Sequence, residues 1–351
     1  MKGAATALDT RSLAAASPVP VTLPGTGILT SRLGLGCAEL YNEPRAARRR
    51  RLLEEAFDAG IRHFDVAPMY GLGIGERELG RLARSRREQI VIATKFGIVP
   101  TPTARAIGRV QGPIRRVLAA SPQLRSRARS SAAGPASGAT GSFLYHAPGF
   151  RAESARRSLE RSLRELQTDY LDLLLLHDPR PGTVDGEELH AYLEQAQASG
   201  QIRAWGLAGE RQPTLATASQ LPGKPPVLQL RDSILDPSPR PAPPTSAIIT
   251  FGVLGGAIHA VRSHLGRDPE RRDAWSKVVG RDCCDPEVLA RLLLAWATRA
   301  NPDGVVLFGT TRSEHIRSGV AALAESEDRL DTFVELVRSE LGGAPVPRAE
   351  D

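Results

Sequence analysis

Short apolar runs alternate with amphipathic stretches along most of the chain. Eight of the apolar runs have the length and composition of buried strands: Leu33–Ala38, Arg62–Val66, Ile90–Lys95, Tyr170–His177, Arg203–Ala208, Val227–Arg231, Ala247–Phe251 and Gly304–Gly309. Several intervening stretches repeat apolar residues at helical spacing: Arg45–Ala59, Ala152–Leu166, Glu187–Ser199, Pro286–Thr298 and Ser313–Leu323. Alternating strands and helices are typical of a parallel sheet, and eight strands can close into a barrel. The pattern therefore predicts an α/β fold, the (β/α)8 TIM barrel.

Two stretches interrupt this alternation. Val99–Phe150 follows the third predicted strand and is rich in Pro, Gly, Ser, Ala and Arg, with no acidic residue. Such a composition buries little apolar surface, so we expect a long, mobile, low-complexity insertion on the active-site side. A solvated insertion without a function is the alternative. Asp232–Thr245 is rich in Pro, which predicts a reduced or missing sixth helix.

These boundaries divide the chain into three parts. We expect a flexible N-terminal segment over residues 1–20, a single barrel domain over residues 21–341 that contains the insertion 99–150, and a C-terminal tail over residues 342–351. No apolar run reaches the roughly 18 residues that a membrane-spanning helix needs. Asp9 and Arg11 interrupt the stretch in which a signal peptide would have its apolar core. We therefore expect a cytoplasmic protein without a membrane partner.

Composition excludes several classes of protein. With 41% hydrophobic and 24% charged residues among 351, the chain is globular rather than disordered. Its three cysteines have neither a CxxC motif nor a paired Cys/His spacing, so we expect no metal and no disulfide framework. The net charge of +7 would suit a nucleic-acid partner, but the basic run Arg48–Arg51 shares its predicted helix with Glu54 and Glu55. That mixture is typical of a solvated helix face, and no nucleic-acid partner is expected.

Four polar residues follow the predicted strands where catalytic groups of a parallel barrel gather. Asp65 ends the second strand and Tyr70 lies on its loop, Lys95 ends the third strand, and His177 ends the fourth. The C-terminal strand ends of such a barrel meet on one face. We therefore expect these four side chains to share one site.

The four residue types suit the reduction of a carbonyl or the oxidation of an alcohol. A free tyrosine has a pKa near 10, too high for easy proton exchange at neutral pH. A neighbouring ammonium such as Lys95 lowers the pKa of a tyrosine, and the carboxylate of Asp65 would hold that ammonium in place. His177 could orient the carbonyl oxygen by a hydrogen bond. Tyr70 is therefore predicted to be the general acid/base.

Several segments together resemble the aldo-keto reductase superfamily over most of residues 21–325. The resemblance rests on the segments Ala59–Gly71, Gly75–Gly80, Asp169–Pro179, Gly200–Gly209 and Phe251–Gly255. It implies the (β/α)8 barrel, an NADP(H) cofactor and the catalytic set Asp65, Tyr70, Lys95 and His177. The N-terminal part and Lys95–Gly97 look most like bacterial members of the sugar-dehydrogenase type.

The resemblance also implies a cofactor site. Gln229 matches the family glutamine that holds the nicotinamide carboxamide, whereas the usual Ser-Asn pair after the fifth strand is Ala208-Gly209 here. Gly309, Thr310 and Thr311 precede a predicted helix, whose N-terminus favours phosphate, with Arg312 and His315 as partners of a 2′-phosphate. Gly319 stands where the family has an Asn that contacts adenine. The full set of expected cofactor-binding residues is Cys37, Gln229, Gly252, Leu254, Gly309, Thr310, Thr311, Arg312 and His315.

Two functions remain open at this stage. An NADP-dependent oxidoreductase would use the four catalytic residues to interconvert a carbonyl, in an aldehyde, ketone or sugar, and an alcohol. A cofactor-binding sensor or partner subunit with little turnover would keep the same fold, and the altered Ala208-Gly209 pair leaves that alternative in place. The sequence does not identify the substrate or the oligomeric state.

Overall fold

The computed structural model describes residues 19–104, 144–237 and 246–342. Its first element is an antiparallel hairpin of β1 (Pro20–Leu23) and β2 (Ile28–Ser31). Leu23 and Ile28 are fully buried in the same apolar cluster as Val91 and Val227, which begin two barrel strands. The hairpin therefore closes the N-terminal end of the barrel, opposite the face where functional groups gather.

Eight parallel strands form a closed barrel, as predicted. They are β3 (Leu33–Gly36), β4 (His63–Asp65), β5 (Val91–Phe96), β8 (Leu171–His177), β9 (Ile202–Gly209), β10 (Val227–Arg231), β11 (Ala247–Phe251) and β12 (Val305–Phe308). Each strand pairs with the next in this order, and β12 pairs with β3 to close the ring. All eight lie within two residues of the predicted bounds, because most of their residues are apolar and buried.

Ten α-helices occur in the described residues, most of them packed around the barrel. They are α1 (Ala46–Asp58), α2 (Ile74–Arg86), α3 (Ala152–Leu166), α4 (Gly186–Ala198), α5 (Arg211–Ala218), α6 (Gly255–Leu265), α7 (Pro269–Val279), α8 (Pro286–Ala300), α9 (Ser313–Ala321) and α10 (Glu327–Leu341). Short 3₁₀ helices cover Cys37–Asn42, Tyr70–Gly73, Arg87–Gln89 and Ala322–Ala324. The described residues 232–237 and 246, between β10 and β11, contain no helix. This agrees with the predicted reduction of the sixth helix.

Alternation along the strands separates two apolar cores. Side chains such as Phe64, Leu174 and Trp205 point outward and pack against the helices. Their strand neighbours, such as Leu173 and Ala204, point inward and fill the barrel. Successive residues of a strand face opposite sides. Asp65 at the end of β4 and Lys95 near the end of β5 are therefore among the residues that point into the barrel.

Asp172 fixes three strands that support the site. Its buried carboxylate accepts the backbone N–H of Ile92 in β5 at 2.9 Å and a guanidinium N–H of Arg203 in β9 at 2.8 Å. Arg87, in the 3₁₀ helix that precedes β5, pairs with the same carboxylate at 2.8 Å. Charge-assisted hydrogen bonds to a buried carboxylate hold their partners firmly, so β5, β8 and β9 keep a fixed register.

The two ends of the predicted insertion are ordered on the barrel. β6 (Val99–Pro100) pairs antiparallel with β7 (Tyr145–His146), and the ring of Phe150 lies edge-on to Phe96 at 5.8 Å between centroids. The two ends of the insertion therefore pack against each other and against β5. Residues 105–143 lie outside the described part, as do residues 1–18 and 343–351 of the predicted terminal segments.

Candidate active site

Asp65 and Lys95 form a buried ion pair at the C-terminal end of the barrel. The Lys95 ammonium donates to both carboxylate oxygens of Asp65, at 2.6 and 2.7 Å, and to the carbonyl oxygen of Val66 at 3.2 Å. Lys95 is 1% exposed and Asp65 is 3% exposed. Burial by itself would lower the pKa of Lys95, but Asp65 and Tyr70 together raise it above its ordinary value. Lys95 therefore stays an ammonium.

Tyr70 lies on the loop after β4 and reaches back to this pair. The Lys95 ammonium donates a hydrogen bond to the Tyr70 hydroxyl over 3.3 Å. The 3₁₀ turn that begins at Tyr70 places Gly71 and Leu72 in the left-handed region, with φ of 57° and 59°. Leu72 is not a residue that adopts this region readily, and such strained positions concentrate at functional sites.

The pKa of Tyr70 moves opposite to the direction predicted from sequence. Lys95 does lower the pKa of the phenol, as expected, but burial raises it more, and Asp65 adds to the rise. The net pKa lies above the ordinary value of a tyrosine. The sequence reveals the ammonium but not the loss of solvent around the phenol, and desolvation disfavours the charged phenolate. Tyr70 is therefore protonated at neutral pH, as a proton donor must be.

His177 ends β8 and faces Tyr70 across the cavity. The two rings meet edge to face with centroids 6.1 Å apart. Burial, with a smaller contribution from Lys95, lowers the pKa of His177 to about 3. The ring is therefore neutral and carries one N–H. Its Nδ1 is buried without a hydrogen-bond partner in the described structure.

A cavity of about 430 Å³ opens above these four side chains. It brings together eight of the residues predicted from sequence: Asp65, Tyr70, Lys95, His177, Gln229, Gly252, Leu254 and Gly309. Cys37 does not share it, since its thiol is 1% exposed, packs in the outer core and points to the carbonyl oxygen of Leu35. Gly36 and Ala38, on either side of Cys37, line the cavity instead.

The remaining predicted residues lie beyond Gly309, where α9 begins. The Thr310 hydroxyl accepts the backbone N–H of Arg312 at 3.0 Å and lies 3.1 Å from Nδ1 of His315. Arg312 is exposed and pairs with Glu314 at 2.6 Å. The carboxylate of Glu314 lowers the positive potential of Arg312.

The cavity fits a nicotinamide group. Gln229 is 3% exposed and its Oε1 has no hydrogen-bond partner within the described structure, so a buried acceptor is free for the N–H of a carboxamide. Gly252 adopts φ of +79° and Gly309 has room for close approach, since a Cβ there would lie 3.4 Å from the nearest atom, the carbonyl oxygen of Gly36. These glycines leave the backbone open to a ligand.

The sequence analysis missed several residues of the cavity wall. They are Glu39, Asp178, Glu210, Arg231 and Phe251. Arg231 and Phe251 end β10 and β11, so the strand-end rule that found Lys95 would also have found them. Asp178 and Glu210 each follow the last residue of a strand, β8 and β9.

Over residues 19–104, 144–237 and 246–342, no cluster of His, Cys, Asp and Glu is suited to bind a metal ion. Among the same residues, no helix combines the length and apolar character required to cross a membrane.

Comparisons with known proteins agree with this geometry. The model of the aldo/keto reductase family matches residues 32–241. Pyridoxal 4-dehydrogenase of Microbacterium luteolum is 28% identical over 352 residues, which cover 90% of this chain and 95% of that protein. D-threo-aldose 1-dehydrogenase of Pseudomonas sp is 31% identical over 194 residues, 52% of this chain and about half (50%) of the relative.

The structure of glycerol dehydrogenase from Gluconobacter oxydans superposes with a TM-score of 0.64 at 16% identity, covering 95% of this chain and 99% of that one. That likeness establishes the (β/α)8 fold, and the family match over more than half of the sequence establishes descent. The chain belongs to the aldo-keto reductase family.

Proposed function

We propose that the protein is a nicotinamide-dependent oxidoreductase that interconverts a carbonyl and an alcohol, with Tyr70 as the general acid/base. The observation that carries the proposal is the contact of the Lys95 ammonium with Tyr70 Oη at 3.3 Å and with both carboxylate oxygens of Asp65. A phenol held against a permanently charged ammonium can give up a proton and leave a stabilised phenolate.

The catalytic residues divide the reaction between them. The substrate oxygen lies between Tyr70 and His177, and Tyr70 donates its proton to the oxygen as negative charge develops there. Lys95 stabilises the phenolate that remains, and Asp65 holds Lys95 in place. When bound, a nicotinamide cofactor supplies the hydride for the carbonyl carbon. In the oxidative direction the same phenolate accepts the proton of the alcohol.

His177 acts as a neutral hydrogen-bond donor in this proposal. With a pKa of about 3, its ring carries no charge across the physiological range. A neutral N–H orients the substrate oxygen without competing with Tyr70 as an acid. The edge-to-face contact of the two rings places both side chains next to each other on the cavity wall.

NADP(H) is the cofactor that we propose, with the carboxamide at Gln229, the cavity wall at Gly252, Leu254 and Gly309, and the 2′-phosphate near α9. The N-terminus of α9 supplies a favourable dipole, and Arg312 supplies a guanidinium. Arg312 is paired with Glu314, so a 2′-phosphate has to displace that carboxylate. The preference for NADP(H) over NAD(H) is therefore expected to be smaller than an unpaired arginine would give.

The test is a turnover and binding assay on the purified protein. Consumption of NADPH and of NADH is followed over a panel of aldehydes, quinones and sugars, and both cofactors are titrated without substrate. Turnover of at least one carbonyl compound, with tighter binding of NADPH, is the expected result. Tight cofactor binding without turnover would support a sensor or partner subunit instead. Failure to bind either cofactor would contradict both functions.

A further inference from the structure

Asp178 occupies an unusual position directly after His177. Its φ of 51° lies in the left-handed region, which Asp and Asn adopt more readily than most residues. The backbone N–H of Asp178 donates to the carbonyl oxygen of Ala208 in β9 at 2.7 Å. Strained backbone of this kind persists only where the surrounding structure fixes it, and it gathers at functional sites. The conformation holds the carboxylate of Asp178 on the wall of the cavity.

The glycine at position 209 makes this placement possible. A Cβ on Gly209 would lie 2.6 Å from Oδ1 of Asp178 and 2.9 Å from the Thr214 hydroxyl. A larger residue at the end of β9 would therefore force the carboxylate away. The lack of a side chain at Gly209 and the left-handed backbone of Asp178 together allow the Asp178 carboxylate to lie near His177.

The Asp178 side chain is 53% exposed and lies at the open side of the cavity. Burial, and then the charge of Glu210, raise the pKa of Asp178, while Lys95, Arg180 and Arg231 oppose the rise. The nearest approach to His177 is 4.0 Å, between Oδ2 and Nε2. Because His177 is neutral, this approach is not an ion pair. Glu210 is itself engaged by Arg231 at 2.6 Å.

Gln229 Oε1 is a second acceptor on the same cavity wall, buried and without a partner in the part of the chain described. The proposed function assigns it to the nicotinamide carboxamide. The Asp178 carboxylate therefore remains for the hydroxyl groups of a substrate.

We propose that Asp178 accepts a hydrogen bond from a hydroxyl on the carbon next to the reacting carbonyl, so that the substrates are 2-hydroxy aldehydes, 2-hydroxy ketones and sugars. The inference rests on the proposed function, in which His177 contacts the carbonyl oxygen. Oxygens on neighbouring carbons are about one hydrogen-bond length apart. Asp178 Oδ2 lies 4.0 Å from His177 Nε2. When the carbonyl oxygen of a substrate accepts a hydrogen bond from His177 Nε2, the hydroxyl on the neighbouring carbon is therefore within reach of the Asp178 carboxylate.

A matched pair of substrates isolates this contact. The ratio of kcat/KM for 2-hydroxypropanal to that for propanal is measured in wild type, Asp178→Asn and Asp178→Gly. Both replacements tolerate the left-handed backbone. Asn removes the charge, whereas Gly removes the whole side chain. Asp236→Asn is the matched control, because Asp236 pairs with Arg211 on the same end of the barrel but does not line the cavity.

The ratio is expected to fall roughly ten- to a hundredfold in Asp178→Gly, the range for one charge-assisted hydrogen bond, and by a smaller factor in Asp178→Asn. Asp236→Asn should keep the wild-type ratio. An unchanged ratio in Asp178→Gly overturns the inference. So does a fall in the affinity for cofactor without substrate, because it would place Asp178 against the cofactor. If wild type reduces neither aldehyde but the panel described above is reduced, the substrate class is wrong. No turnover of any carbonyl compound contradicts the proposed function itself.

Discussion

Tyr70 and Lys95 work as a pair whose chemistry depends on how deeply both are buried. The ammonium by itself would make the phenol more acidic, but loss of solvent raises the pKa of Tyr70 more. Tyr70 is thus held in its protonated form, and in the proposed reaction Lys95 stabilises the phenolate that proton donation leaves behind. The arrangement suits the reduction of a carbonyl at neutral pH.

Replacement of Tyr70 tests its role directly. Tyr70→Phe removes one hydroxyl and leaves the ring that packs against His177. Turnover should fall by about 100-fold or more, the scale of general acid catalysis, while cofactor affinity stays close to wild type. Steady-state kinetics and a cofactor titration on the same preparation measure both quantities. Near-normal turnover would show that another group supplies the proton.

The proposed preference for NADP(H) rests on Arg312, which is paired with Glu314. Arg312→Ala should weaken NADPH binding roughly ten- to a hundredfold, the cost of one charge-assisted contact, and leave NADH binding almost unchanged. Glu314→Gln should act in the opposite direction, because the Arg312 guanidinium loses its 2.6 Å carboxylate partner and becomes available to the 2′-phosphate. Dissociation constants of both cofactors for both variants are the measurement.

Arg299→Ala is the control for this pair, since Arg299 also holds an exposed ion pair, with Asp331, on a different helix. It should change neither constant. If wild type binds NADPH and NADH equally well, the 2′-phosphate is not recognised near α9.

At the scale of elements, α2 and α3 are closely packed at Gly80. Gly80 in α2 faces the end of α3, and a Cβ on it would lie 2.6 Å from the carbonyl oxygen of Glu165 and 2.9 Å from backbone atoms of Leu166. Backbone atoms of a helix cannot move aside as a side chain can. Gly80→Ala should therefore lower the free energy of unfolding by about 1–3 kcal/mol, the usual cost of overpacking.

Gly256 in α6 offers the matched comparison. A Cβ there meets nothing within 4 Å. Gly256→Ala should be neutral or raise the free energy of unfolding by up to about 1 kcal/mol, because alanine is the better helix former. Urea denaturation of the two variants and wild type tests both expectations. A stable Gly80→Ala protein would mean that the two helices can separate without cost.

For the whole molecule, two buried histidines make the free energy of unfolding depend on pH in the acidic range. Burial and the charge of Lys95 lower the pKa of His63 and of His177 to about 3, from an ordinary value of 6.5. Below pH 6.5 the unfolded chain binds protons that the folded protein excludes. The contribution of these two residues to the free energy of unfolding is therefore fully present above pH 6.5 and is lost as the pH falls toward about 3.

His63→Gln separates this effect from other titrating groups. His63 lies in β4 below Asp65, fully buried, and no hydrogen-bond partner of its ring nitrogens occurs in the described part of the chain. Between pH 6.5 and about 3, the variant should lose stability less steeply than wild type, whereas above pH 6.5 the two curves should run parallel. Denaturation curves of both proteins across this pH range measure how steeply the free energy of unfolding falls. Equal slopes in acid would show that His63 becomes protonated in the folded protein.

The amino-acid sequence by itself determined the barrel and the identity of its central side chains. Continuous apolar runs located all eight barrel strands, because a strand covered on both faces needs apolar residues throughout. The hairpin β1–β2 and the helices α2, α5, α6, α7 and α10 were not among the predicted elements. The rule that functional groups gather at C-terminal strand ends found Asp65, Lys95 and His177, and the loop after β4 gave Tyr70.

Only the tertiary structure decided how these groups behave. The pKa of Tyr70 is raised because residues from several strands exclude solvent from the phenol. The sequence by itself does not show which residues exclude that solvent. The approach of Asp178 to Gly209 joins two strand ends, and the contact of Gly80 with α3 joins two helices. Such distances follow from how the elements pack, whereas periodicity along the chain reports only which face of each element is buried.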